Sequence, residues 1–133
     1  MEAGVVTSIY ESTLKDGFGA LETYLKDRFQ QEAKSVAKPP ATTTFQRLLD
    51  TNELYQQHLG VDLEAAVGAQ VWAVLLQAAA IRHVLTHNAG VIDAKFLTRV
   101  TGWPQRVGER LQVRRADADR FLDVLEQFAA AVL

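Results

Sequence analysis

The spacing of apolar residues divides the chain into helical stretches and one weakly extended stretch. Leu14, Phe18, Leu21, Leu25 and Phe29 recur every three or four residues, which lays a single apolar stripe along a first helix. Gly17 and Gly19 weaken the early part of that helix. Lys38-Pro39-Pro40 predicts its end, because proline lacks the amide proton a helix needs and disfavours the α region in the residue before it. Thr42, Thr43 and Thr44 offer N-caps for a second helix with Phe45, Leu48, Leu49, Tyr55 and Leu59 on its buried side, and Gly60 is its natural stop.

Asp62 is placed to cap a third helix, with Glu64 in a first turn where a carboxylate favours the dipole. The pattern runs through Val67, Val71, Val74, Leu75 and Ala78 to about His87 and is apolar around most of the circumference. Such a helix is central and packed on several sides, and its Trp72 belongs in the core. Asn88-Ala89-Gly90 ends it. Asp93 caps a short fourth helix carrying Phe96, Leu97 and Val100, closed by Gly102-Trp103-Pro104, with Trp103 open to packing or to base stacking. Weak alternation at Leu111 and Val113 predicts a short extended segment near 109–114. Asp117 then opens a last helix with Phe121, Leu122, Leu125, Phe128, Ala129 and Val132. Short connections between helices imply antiparallel neighbours. The expected fold is all-α: one domain over 1–133, a small bundle of four to five helices.

Composition narrows the class without changing that picture. Of 133 residues, 48% are hydrophobic and 23% charged, which are globular proportions. The absence of cysteine excludes disulfides, thiolate zinc sites and cysteine nucleophiles, and it suits a reducing cytoplasm. Met1-Glu2-Ala3-Gly4 does not begin a signal peptide, and the apolar run from Val71 to Ile81 is too short to span a bilayer, so a cytoplasmic protein without a membrane partner is expected. Net charge is −2, but unevenly spread. Residues 1–81 carry 6 basic and 10 acidic side chains, whereas residues 82–120 carry 8 basic and 4 acidic ones. An anionic ligand would find its field in the second stretch.

That stretch opens with the chain's most chemical segment, Arg82-His83-Val84-Leu85-Thr86-His87-Asn88. Polar side chains at the end of an apolar helix cost desolvation unless they meet a cleft or partners. His83 and His87, four apart, share a face. Arg82 and His87 point roughly 140° apart on a regular helix, so two such helices meeting across a symmetry axis would converge them better than one. Three readings are open. The residues suit a helix C-terminus, where cations complement the dipole and asparagine caps. The two histidines have metal-ligand spacing, although Asp93 is the only nearby carboxylate. Histidine and arginine together also suit phosphodiester chemistry, one moving protons near neutral pH and the other presenting a charged fork to phosphate.

The segment resembles the HEPN family, whose motif is an arginine, four to six residues and a histidine at the end of a long bundle helix. Arg82 and His87 match with a four-residue gap, His83 fills the polar position after the arginine, and Asn88-Ala89-Gly90-Val91-Ile92-Asp93 is similar to the small turn and acidic residue that follow. The resemblance implies a metal-independent endoribonuclease without cofactor. In it a 2′-hydroxyl attacks the scissile phosphate, leaving a 2′,3′-cyclic phosphate, at a composite cleft of a homodimer. His87 would be the acid or base and Arg82 the phosphate stabiliser, with His83 and Asn88 orienting the substrate. A toxin or stress-response role with a separate antitoxin or regulatory protein belongs to the same expectation. The alternative within the family is a non-catalytic dimerisation or nucleotide-binding module paired with a separate protein. In one such group a tyrosine closely follows the histidine, but this chain has none after Tyr55.

Overall fold

The computed structural model describes residues 3–33 and 47–132. Its helices are α1 (Ala3–Glu32), α2 (Leu48–Leu59), α3 (Leu63–Val67), α4 (Ala69–His87), α5 (Ala94–Arg99) and α6 (Arg115–Val132). No strand occurs among the described residues. The fold is an all-α helical bundle, with six helices among the described residues where the periodicity predicted four to five.

The extra helix comes from Gly68. It ends α3 and begins α4 with φ +93° and ψ 153°, a left-handed φ that an L side chain rarely adopts. The expected single helix from Asp62 to His87 is therefore two. Asp62 still caps its start, accepting from the Ala65 amide at 3.3 Å. Asn52 of α2 fixes the same corner: its carbonyl accepts from the Leu63 amide at 2.7 Å and its amide donates to Asp62 at 3.2 Å.

The apolar stripe of α1 matches the periodicity. Leu14, Phe18, Leu21, Leu25 and Phe29 are all buried. The helix ends at Glu32, ahead of the proline pair. Lys38-Pro39-Pro40, Thr42, Thr43, Thr44 and Phe45 lie outside the described residues. The N-cap of α2 is Arg47, without a side-chain cap bond. On α2, Leu48 and Tyr55 are buried, while Leu49, expected inside, is 63% exposed. The Tyr55 hydroxyl donates to the Leu25 carbonyl at 2.6 Å, and burial pushes its phenol well up. Gly60 closes the helix in the left-handed region.

Helix α4 is the centre of the bundle, in contact with α1, α3, α5 and α6. Its buried residues, Val71, Trp72, Leu75, Ala78, Ala80, Ile81 and Val84, cover much of its circumference. Each large apolar side chain removed from water contributes roughly 1.5–3 kcal/mol. The first and last helices also pack together. Phe18 stacks on Phe121 with centroids 6.4 Å apart, and further along Tyr24 and Arg28 both donate to the Val132 carbonyl. Both sets of contacts advance in the same direction, so α1 and α6 run parallel; the short-connection rule does not govern helices so far apart in sequence.

The segment expected to be extended near 109–114 contributes one antiparallel bridge, Val91 to Arg110, with Leu111 and Val113 turned inward. Trp103 is buried, edge-on to Phe96 at 5.6 Å, with its indole NH donating to Gln105. Both tryptophans thus belong to the packing. Helix α6 starts at Arg115, two residues before Asp117, whose carboxylate reaches back to accept from the Arg114 amide at 3.0 Å.

Candidate functional site

The last two turns of α4 carry Arg82, His83, Thr86 and His87 to one end of the bundle. The helix stays regular to His87 and stops in the turn the sequence predicted. Ala89 takes φ +52° and Gly90 φ +75°, and the amides of Asn88 and Gly90 both donate to the Val84 carbonyl. The left-handed φ favours glycine at position 90, and a Cβ there would push the Arg110 guanidinium aside. That guanidinium lies 3.1 Å from a Glu11 carboxylate oxygen on α1. The turn carrying the site is thereby fastened to the first helix.

A groove of about 820 Å³ opens beside this helix end. Arg47, Leu48, Leu49 and Asp50 of the α2 side line it, with Leu76, Ala79, Ala80, Arg82, His83, Thr86 and His87 of α4 and Lys95 and Arg99 of α5. Its α2 side and the earlier α4 turns supply apolar surface; the end of α4 and α5 supply cations and imidazoles. Asp50 is the only acid among the described residues of the lining, and it pairs with Arg47 at 3.3 Å. In a chain of net charge −2 this is a local concentration of positive charge suited to an anion.

Of the four residues singled out from sequence, three line this groove. The His83 and His87 rings share a helical face with centroids 4.9 Å apart. Desolvation holds His83 below its ordinary value of 6.5, helped by the charges of His87, Arg99 and Lys95 and opposed by Asp93. A group so placed is neutral near pH 7 and can accept a proton. Arg82 reaches the groove too, but its guanidinium leans over the Phe18 ring, 5.4 Å from the centroid, and forms an ion pair with Glu22 of α1. Burial pushes the Glu22 carboxyl up, and Arg82 beside it only partly draws it back. Asn88 is outside the groove lining; its side-chain amide donates to the Val91 carbonyl at 2.5 Å and braces the turn.

The histidine pair does not gather acidic ligands around it. Asp93, the nearest carboxylate in sequence, accepts from the Phe96 amide at 2.8 Å as the cap of α5. Among the described residues no group of three or more histidine or carboxylate side chains is placed to hold a metal ion. No helix among them is long and apolar enough to cross a membrane.

Three contributors were not singled out from sequence. Lys95 and Arg99 were visible as part of the basic stretch 82–120, but only the packing of α5 on α4 brings them to the histidines. Glu22 carried no local signal at all: it is 60 positions from Arg82, and the pair forms because α1 crosses α4. Comparisons with protein-family models, with curated proteins and with solved structures find no match for this chain.

Proposed function

We propose that this chain is a HEPN-type, metal-independent endoribonuclease whose working site is the groove at the end of α4. One observation carries the reading: Arg82, His83 and His87 open onto a single groove that adds Arg47, Lys95 and Arg99 against one acid. An RNA strand brings its own nucleophile. A proton leaves the 2′-hydroxyl for an imidazole, the 2′-oxygen attacks phosphorus, and the bond to the 5′-oxygen breaks as that oxygen gains a proton. The products are a 2′,3′-cyclic phosphate and a 5′-hydroxyl. His87 moves the proton, the neutral His83 beside it offers a second acceptor, and Arg82 stabilises charge on the phosphoryl oxygens. A homodimer with two grooves facing one strand would supply base and acid from different protomers, and a cytoplasmic toxin held by a separate partner protein would fit this chemistry.

The test is incubation of wild-type protein and His87→Ala with RNA in EDTA. Wild type is expected to cut, leaving cyclic-phosphate ends, and His87→Ala to be slower by about 10² to 10⁴. Equal degradation by both would point to contamination and sink the assignment. Activity lost in EDTA and restored by zinc or magnesium would favour a metal held by His83 and His87.

A second reading, a non-catalytic module, is favoured by the Arg82–Glu22 pair. An arginine already held by a half-buried carboxylate has less charge to offer a phosphate. In that case Arg82→Ala lowers stability and leaves no cleavage to lose.

A further inference from the structure

The arginines of the described residues mostly have a carboxylate beside them. Arg28, Arg47, Arg82, Arg110, Arg114 and Arg115 each form an ion pair. Lys95 and Arg99 line the groove, yet neither has an ion-pair partner among the described residues. Their side chains are one turn apart on α5, hence on one face and separated by about 6 Å of helix rise. Both act electrostatically on His83, against a smaller opposing contribution from Asp93, so their positive field reaches the imidazoles. The groove volume far exceeds what one phosphate group fills.

We infer that Lys95 and Arg99 form a second phosphate subsite, which holds the backbone of a bound RNA strand next to the phosphate that faces His83 and His87. Arg82 is committed to Glu22, so the uncommitted charge of the groove is on α5. The subsite positions the strand and does not touch the reacting atoms. The one-turn spacing suits neighbouring phosphates of an extended strand. This inference rests on the RNA reading of the same groove, but its readout is binding rather than cleavage.

The experiment measures binding of a fluorescently labelled octauridylate to full-length His87→Ala protein, a cleavage-silent background, as a function of salt. Removing both charges, Lys95→Ala with Arg99→Ala, is expected to weaken binding and to flatten the plot of log affinity against log salt. The slope should change by about 0.7 for each phosphate left unneutralised, so by about 1.4 for the pair. The charge-preserving exchange, Lys95→Arg with Arg99→Lys, should keep the slope. Arg106→Ala with Arg120→Ala removes the same net charge from residues outside the groove and should also keep it. An unchanged slope in the α5 double variant overturns the subsite, as does an equal loss in the Arg106 and Arg120 control. Competition by polyglutamate as strong as that by unlabelled RNA overturns it too, because a carboxylate partner would then explain the charge. If binding behaves as expected while wild type cuts no RNA, the subsite stands and the ribonuclease reading falls.

Discussion

His83 is where a single residue's environment becomes measurable. Its ionised form is disfavoured by desolvation and by the charges of His87, Arg99 and Lys95, with Asp93 pulling the other way. The folded chain therefore takes up a proton at this position less readily than the unfolded chain does. Below its ordinary value of 6.5 the unfolded state binds more protons, so stability should fall as pH drops from 7 through the lowered folded value. His83→Gln should flatten that limb, with the acid-range decline due to carboxylates left in place. Denaturant midpoints of the two proteins between pH 7.5 and 5.5 would check this, and parallel curves would refute it. Arg82 shows how far a residue's role is legible from sequence. Its type and place at the helix end were plain, but its commitment to Glu22 required a helix 60 positions away.

At the scale of elements, what was legible was local. Gly60, Asp62, Asp93 and the Asn88-Ala89-Gly90 turn each act within a turn or two of chain, and each does what its chemistry suggested. The break at Gly68 was hidden because Val67 and Val71 keep the apolar period on either side of it. The two glycines of α1 looked alike and are not. A Cβ on Gly17 would lie 2.9 Å from a Phe121 ring carbon and 3.1 Å from Leu125, whereas one on Gly19 meets nothing within 4 Å. Gly19→Ala is therefore expected to stabilise by roughly 0.5–1 kcal/mol through helix propensity alone. Gly17→Ala should destabilise, since forcing α6 outward costs typically about 1–3 kcal/mol and exceeds the same propensity gain. Thermal melts of the two variants should move in opposite directions.

For the whole molecule, the expectation of a dimer meets a changed argument. The apolar circumference of α4 that suggested a partner is largely covered within the chain, by α1, α3, α5 and α6. One exposed apolar surface open to a second copy is the groove wall with Leu49, beside the histidines. A two-fold contact there would place two groove mouths together, as the proposed composite cleft requires. Light scattering at micromolar concentration should then give twice the chain mass, and Leu49→Asp should return it to one. A monomer across that range would leave the convergence of two motifs without a vehicle.

Helix α1 holds the site at two points. Glu11 meets the arginine that lies against Gly90, and Glu22 meets Arg82. Eleven residues are three turns plus about 20°, so both carboxylates stand on one line of the helix. The end of α4 and the turn after it are thus both tied to the same rod. Local opening of the groove end is tied to opening of the first helix, as one cooperative unit rather than as a frayed terminus. A peptide bond cut within α1 would loosen the histidines as surely as a change beside them.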